Sequence, residues 1–248
     1  RSTLFPYTTL FRSSTDDRRA PSARYPAPMR LATWNVNSVR TRVDRIIAFL
    51  ERENIDALAM QETKCRPEQF PLGAFAAAGY EVAVHGLNQW NGVAIASRVG
   101  LADVATSFPG QPAWAAKEGA QAVVEARALG ATVGGSAMAA GSAGARPAPE
   151  PVRLWSLYVP NGRELTHPHY EYKLAWLEAL RHSVIGWLSA DPERALALAG
   201  DWNVAPRDED VWDMSVFEGA THVSAPERAA LAALARSEEH TSELQSQY

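Results

Sequence analysis

The chain has 248 residues, 46% of them hydrophobic and 21% charged, with a formal net charge of −4. That size allows one large domain or at most two, and no apolar run approaches membrane-spanning length. The acidic balance argues against indiscriminate nucleic-acid binding but leaves room for a local basic groove, and the single cysteine, Cys65, excludes an internal disulfide and fits a reducing compartment.

Both ends read as foreign. Residues 1–13 and 236–248 resemble translated adapter sequence and are set aside from fold reasoning, and residues 14–28, rich in Pro, Arg, Asp and Ser, read as disordered. One domain is expected over 29–235, cut off at its C-terminal end. Within it, Leu31 to Trp34 is a first strand ending at Asn35-Val36-Asn37-Ser38. Ser38 is placed to cap a helix reaching Glu53, with Val43, Ile46, Ile47 and Leu50 at helical spacing. Ile55 to Met60 forms a second strand running into Gln61-Glu62-Thr63-Lys64, and Glu68 to Ala78 reads as helical. Tyr80 to His85 and Val93 to Ser97 alternate as neighbouring strands, and Ala122 to Leu129 is another.

Residues 130–151 are dominated by Gly, Ala, Ser and Pro and read as a flexible loop or hairpin insertion. Val152 to Val159 resumes strand character and ends at Pro160-Asn161-Gly162, and His169 to Ser189 is a long amphipathic helix. The apolar run Ala195 to Ala199 then meets Gly200, with an acid at Asp201 and an amide at Asn203. Alternation along an extended chain puts Asp201 and Asn203 on one face and Trp202 on the other. Ala225 to Leu234 begins a last helix. Hairpin-like strands mixed with helices favour two sheets packed face to face with helices outside, an α+β arrangement.

Four strand ends carry polar residues: Asn35, Glu62, Tyr158 with Asn161, and Asp201 with Asn203. Each has an ordinary explanation alone, as a turn, a cap or a core phenol. Together they form a hard oxygen set without clustered His or Cys, which favours Mg²⁺ or Mn²⁺ over zinc and points to phosphate esters.

The motifs Trp34-Asn35-Val36-Asn37-Ser38, Gln61-Glu62-Thr63-Lys64, Asn91-Gly92-Val93-Ala94-Ile95, Tyr158-Val159-Pro160-Asn161-Gly162 and Gly200-Asp201-Trp202-Asn203 occur in the order in which the exonuclease III and apurinic/apyrimidinic endonuclease family carries them. The chain resembles that family, part of the endonuclease/exonuclease/phosphatase superfamily, from about Arg30 to Leu234. The resemblance implies a four-layered α/β/β/α sandwich, incomplete at its C-terminus. It also implies Mg²⁺- or Mn²⁺-dependent hydrolysis of DNA phosphodiesters at abasic sites and 3′ ends by a cytoplasmic monomer that uses double-stranded DNA and no membrane. By residue, it implies metal ligation by Asn35, Glu62, Asp201 and Asn203, with Tyr158, Asp201 and Asn203 catalytic. Asn161 is then a contact to the scissile phosphate; Arg163 and Lys173, close to motif strand ends, can add substrate contacts, and Trp202 is placed either on a nucleotide or in the core. Arg40, Arg42, Lys64 and Arg66 can flank a DNA groove, and Trp90 can press on a nucleotide.

The family's later motifs, an arginine–aspartate pair and a terminal Asp-His pair, have no counterpart, and His167, His169, His182 and His222 lack the matching context. The chain is therefore expected to be inactive as it stands, with an unpaired sheet edge within 152–204. Two other readings stay open on the sequence: a superfamily phosphodiesterase acting on another phosphodiester, and a non-catalytic nucleic-acid-binding fragment.

Overall fold

The computed structural model describes residues 7–11, 29–117, 119–135 and 148–237, with only the backbone given over 7–11. The disorder expected over 14–28 and the tail from 238 onward lie outside the described residues. Among the described residues nine strands, β1 (Tyr7–Phe11), β2 (Leu31–Asn35), β3 (Ala57–Gln61), β4 (Glu81–His85), β5 (Val93–Ser97), β6 (Leu101–Ala105), β7 (Ala128–Val133), β8 (Val152–Tyr158) and β9 (Leu196–Asp201), make two sheets in the orders β2-β3-β5-β4 and β1-β9-β8-β7-β6. Each sheet is mixed, with one parallel pair: β2 with β3, and β8 with β9.

The sheets face each other across small side chains. Ala57, Ala59, Ala83 and Ile95 of one meet Leu129, Ala131, Leu154, Ala197 and Ala199 of the other. A buried polar link crosses the middle of this layer: the Gln61 amide donates to Ser156 Oγ at 3.0 Å, and Ser156 Oγ donates to the Met60 carbonyl at 2.9 Å. Outside the first sheet lie α1 (Val43–Arg52) and α2 (Leu72–Ala77), which bury Ile46, Leu50 and Phe75 against Leu58, Met60 and Ala94. Outside the second lie α3 (Pro168–Ala190) and α5 (Ala225–Ala235), where Trp176, Leu177, Leu180, Val184 and Leu234 pack on Trp155, Leu157 and Leu198. The short α4 (Met214–Phe217) sits in the connection between β9 and α5. The four layers are those of an α/β/β/α sandwich, as the resemblance implies. Among the described residues, no helix is long and apolar enough to cross a membrane.

Several local expectations change. Ser38 does not cap α1: it sits at φ +83° with its N–H on the Glu62 carbonyl at 2.7 Å, and the helix starts only at Val43. The expected helix over 68–78 is split into a 3₁₀ turn, Pro67–Gln69, and α2, because Pro71 holds the preceding Phe70 in extended backbone. Leu101–Ala105 is a strand that the sequence pattern missed, its middle three residues being exposed. The strand expected over 122–129 reduces to one bridge between Trp114 and Val123 before β7 begins. Residues 130–133 belong to that buried strand rather than to a flexible insertion, and 136–147 lie outside the described residues.

Two corrections concern β9. The strand does not end at Gly200 but runs through it, paired with Leu157 and Tyr158 of β8. A Cβ at position 200 would stand 1.9 Å from the Leu157 carbonyl oxygen, so only glycine lets the two strands approach this closely. The other side of β9 is not an open edge. Tyr7–Phe11, set aside as foreign, pairs antiparallel with it from Tyr7↔Gly200 to Phe11↔Leu196. A run rich in aromatic and β-branched residues has the propensity to satisfy such an edge.

Candidate active site

Parallel pairing brings the motif residues together. Asn35 ends β2 opposite Gln61, which places Glu62 one residue further along; Tyr158 ends β8 directly opposite Asp201 of β9. The two parallel pairs thus open at the same rim of the sandwich. There the Asn35 side-chain amide donates to Glu62 Oε1 at 2.8 Å and to Asp201 Oδ2 at 2.7 Å, tying a carboxylate of one sheet to a carboxylate of the other.

The backbone around these groups is under strain. Among the described residues nine non-glycine positions have positive φ, and seven of them lie in the loops at this rim: Asn37, Ser38, Glu62, Lys64, Arg163, Asn203 and His222. Left-handed backbone costs such residues energy and persists only where surrounding contacts impose it, so its concentration here marks loops shaped for side-chain placement rather than stability.

The two carboxylates occupy different electrostatic settings. Burial alone would raise the Glu62 carboxyl, but hydrogen bonds from Asn35 and Lys64, the Lys64 charge and Tyr158 hold it below its ordinary range. Lys64 Nζ lies 2.7 Å from Glu62 Oε2 and 2.6 Å from Asn37 Oδ1. Asp201 is pushed the other way, chiefly by burial and also by the Glu62 charge, against the Asn35 amide and the Asn203 N–H, which donates to Oδ1 at 3.0 Å. Environments that separate two carboxylates in this way suit one as a permanent anion and the other as a proton acceptor.

Tyr158 is half-buried, and burial, then the Glu62 charge, drives its phenol far up, so it stays a proton donor. Its ring lies under the Arg127 guanidinium, 4.8 Å from the centroid, and Arg127 is itself paired with Glu125 at 2.7 Å. Asn203 turns its amide N–H to the Val159 carbonyl at 2.8 Å, leaving Oδ1 3.2 Å from His222 Nε2. His222 Nε2 also lies 3.1 Å from the Asn161 amide nitrogen. The Asn203 and Asn161 orientations are each fixed by a second bond, the latter by the Arg163 N–H on Asn161 Oδ1 at 3.0 Å. One ring nitrogen cannot both donate to Asn203 and accept from Asn161, so the neutral imidazole satisfies one amide and leaves the other a free valence. Burial, followed by the Lys173 charge, lowers the His222 pKa to about 4, which keeps the ring neutral at physiological pH.

Sequence reasoning passed over His222. The one available signal was the Ser224-x-x-Glu227 capping box that follows it: Ser224 and Glu227 close the start of α5, and Glu227 Oε1 accepts the His222 N–H at 3.0 Å. Two residues expected to touch substrate are elsewhere. Trp202 is 2% exposed and belongs to the core beneath α3 and α5, as alternation from Asp201 dictates. Lys173 is 0% exposed and paired with Glu227, out of reach of a phosphate. Asn161 and Arg163 are exposed, the Arg163 guanidinium 3.1 Å from His167 Nε2. Arg40 and Arg66 are exposed beside the rim, Arg42 is tied to the Asn37 carbonyl, and Trp90 is 72% exposed in the β4–β5 turn.

A divalent cation fits the charged part of this donor set, Glu62 and Asp201. The two amides assigned to it contribute differently than expected. Asn35 presents N–H to the carboxylates while its Oδ1 accepts from the Asn37 N–H at 3.1 Å, and both ends of the Asn203 amide face protein groups.

Comparison with known proteins agrees with the fold. A model of the Endonuclease/Exonuclease/phosphatase family matches residues 32–242. Exodeoxyribonuclease III of Haemophilus influenzae is 30% identical over 81 residues, 33% of this chain and 30% of the relative, so the chain spans under a third of that protein's length in the match. Among solved structures, the 3′ phosphatase NExo from Neisseria, bound to a product DNA hairpin, is 30% identical with a TM-score of 0.69, the match covering 85% of this chain and 71% of that one. An AP endonuclease from Archaeoglobus fulgidus is 30% identical with a TM-score of 0.66, covering 84% of this chain and 70% of its own. Ordered motifs, four layers and these likenesses converge: the chain belongs to the endonuclease/exonuclease/phosphatase family, within its exonuclease III and AP endonuclease group.

Proposed function

We propose that the chain is built for hydrolysis of DNA phosphodiesters at 3′ ends and abasic sites, with Mg²⁺ or Mn²⁺ as cofactor. The observation that carries this reading is the Asn35 amide shared between Glu62 and Asp201 across the two sheets, at 2.8 and 2.7 Å. Glu62, held ionised, and Asp201 would bind the cation, which when present supplies Lewis-acid polarisation of a phosphoryl oxygen.

The chain's own residues account for the rest. Asp201 accepts a proton from the attacking water as the new P–O bond forms and the P–O bond to the leaving oxygen breaks, the leaving oxygen taking its proton from solvent water. Asn35 holds that carboxylate in place, and the Asn203 N–H fixes its other oxygen. Tyr158, protonated throughout, donates to charge developing on the phosphoryl group or leaving oxygen. With His222 committed to Asn203, the Asn161 amide is free to donate to a phosphate oxygen, and Arg163 beside it supplies positive charge. Arg40 and Arg66 extend that charge along the rim for the DNA backbone.

The test is hydrolysis of three duplexes, carrying a 3′ phosphate, a recessed 3′ hydroxyl end and an abasic site, in Mg²⁺, Mn²⁺ or EDTA. Because Asn35, Glu62, Tyr158 and Asp201 already meet at one rim, metal-dependent cleavage that disappears in Asp201→Asn is expected here, in place of the inactivity that the absent later motifs imply. Hydrolysis unaffected by EDTA, or metal binding at Glu62 with no cleavage of any DNA, would overturn the reading.

A further inference from the structure

Lys173 of α3 and Glu227 of α5 form an ion pair with both side chains wholly buried. All three donors of the ammonium are accounted for. One goes to Glu227 Oε1, one to the Asn203 carbonyl at 2.6 Å and one to the Asn161 carbonyl at 3.3 Å. The carboxylate in turn accepts the His222 N–H at 3.0 Å on Oε1 and the Ser224 N–H at 3.2 Å on Oε2. The pair therefore terminates on the main chain of three separate loops, each presenting a side chain to the candidate site. Two of its targets, Asn203 and His222, hold the left-handed backbone that needs an external hold.

Burying two charges is a poor way to add stability, since an apolar pair of similar volume commonly does as well or better. Stability therefore does not account for the arrangement, whereas placement of the loops does. We propose that the Lys173–Glu227 pair is a positioning strut: it sets the 160–163, 201–204 and 221–224 loops relative to one another, and with them Asn161, Asn203 and His222. Only the kinetic consequence rests on the catalytic reading above; the geometric one does not.

The experiment uses the full 248-residue chain with Lys173→Met/Glu227→Met, and Glu227→Gln as a second variant that keeps an acceptor for the His222 N–H. Amide hydrogen exchange, thermal melting, Mn²⁺ binding and DNA hydrolysis are followed in each. In the double variant, melting is expected to stay close to the parent's while exchange in the three loops rises about tenfold or more over the parent and the sheets stay protected. The turnover number falls about 10²-fold with KM little changed, the cost of misplaced groups. Glu227→Gln falls between, and it decides the matter if the double variant does not fold. Loop exchange equal to the parent's in a folded variant overturns the proposal. So does exchange rising uniformly through the fold with a matching loss of melting temperature. A parent that neither binds Mn²⁺ nor cuts DNA sinks the catalytic reading alone, because the loop exchange still decides the strut.

Discussion

Replacing Asn35 by alanine isolates the contact that joins the two carboxylates. The substitution removes one amide group that donates to Glu62 at 2.8 Å and to Asp201 at 2.7 Å, and also the acceptor for the Asn37 N–H. Hydrogen bonds to ionised groups contribute about 1.5–3 kcal/mol each, and partial access of water to this half-buried rim replaces some of that, so a loss of about 2–3 kcal/mol is expected at pH 7. In urea that corresponds to a midpoint lowered by about 1 M for a slope of about 2–3 kcal/mol/M. The sign with pH follows from which forms the amide stabilises. Asn35 favours the charged form of both groups, so its contribution is fully present above the carboxylate range. It fades as pH falls through the folded Asp201 value, which is raised, and then the folded Glu62 value, which is depressed below its unfolded one of about 4. Urea melts of parent and variant in EDTA at pH 7 and near pH 3 measure this, provided both remain folded at the start of each titration. A variant as stable as the parent at pH 7, or one whose deficit is the same at both pH values, would refute the reasoning.

Asp201→Asn should lower turnover by about 10³-fold or more while leaving DNA affinity within about twofold, because the amide keeps the shape and cannot take the water's proton; parallel kinetics and binding isotherms read the two effects apart. Glu62→Ala should shift the Mg²⁺ dependence of hydrolysis to higher concentration, since a hard cation loses its permanently charged ligand, and superimposable titrations would remove Glu62 from the metal site. Trp202→Ala should cost about 3–5 kcal/mol in denaturant melts as a core deletion. A variant of unchanged stability but weakened DNA binding would return Trp202 to the substrate surface.

The site's frame was legible in the sequence because its residues end strands, and strand ends are written in local pattern: an apolar run, then Asn35, Glu62, Tyr158 or Asp201. Trp202 illustrates the same legibility and its limit. Alternation alone sent it away from Asp201, while an aromatic ring beside a motif acid left a nucleotide contact and a core position equally open. His222 and Lys173 were opaque for a different reason. Their partners are Asn203 and Asn161 for one, Glu227 for the other, and they meet only when α3 and α5 pack on the second sheet. A lysine between Tyr172 and Leu174 in a charged stretch reads as surface until a carboxylate 54 residues later is seen beside it. Strand Leu101–Ala105 escaped because an edge with exposed residues carries no hydrophobic alternation, and Tyr7–Phe11 because its apparent foreign origin said nothing of its propensity to pair.

The polar link through the middle of the sandwich bears on how such a fold can change over generations. A layer lined mainly by alanine is nearly smooth, and smooth faces tolerate sliding by a fraction of a residue at little energetic penalty. Gln61 and Ser156 act as an index pin in that layer, and they sit immediately before Glu62 and two residues before Tyr158. The pin thus registers the two sheets within a residue or two of the groups that must meet, while at the far end the short connection Arg98-Val99-Gly100 carries the chain from β5 of one sheet into β6 of the other. Replacing Gln61 and Ser156 together with apolar residues of equal volume would leave the protein folded, at little cost in stability, with two half-sites that no longer share a common zero.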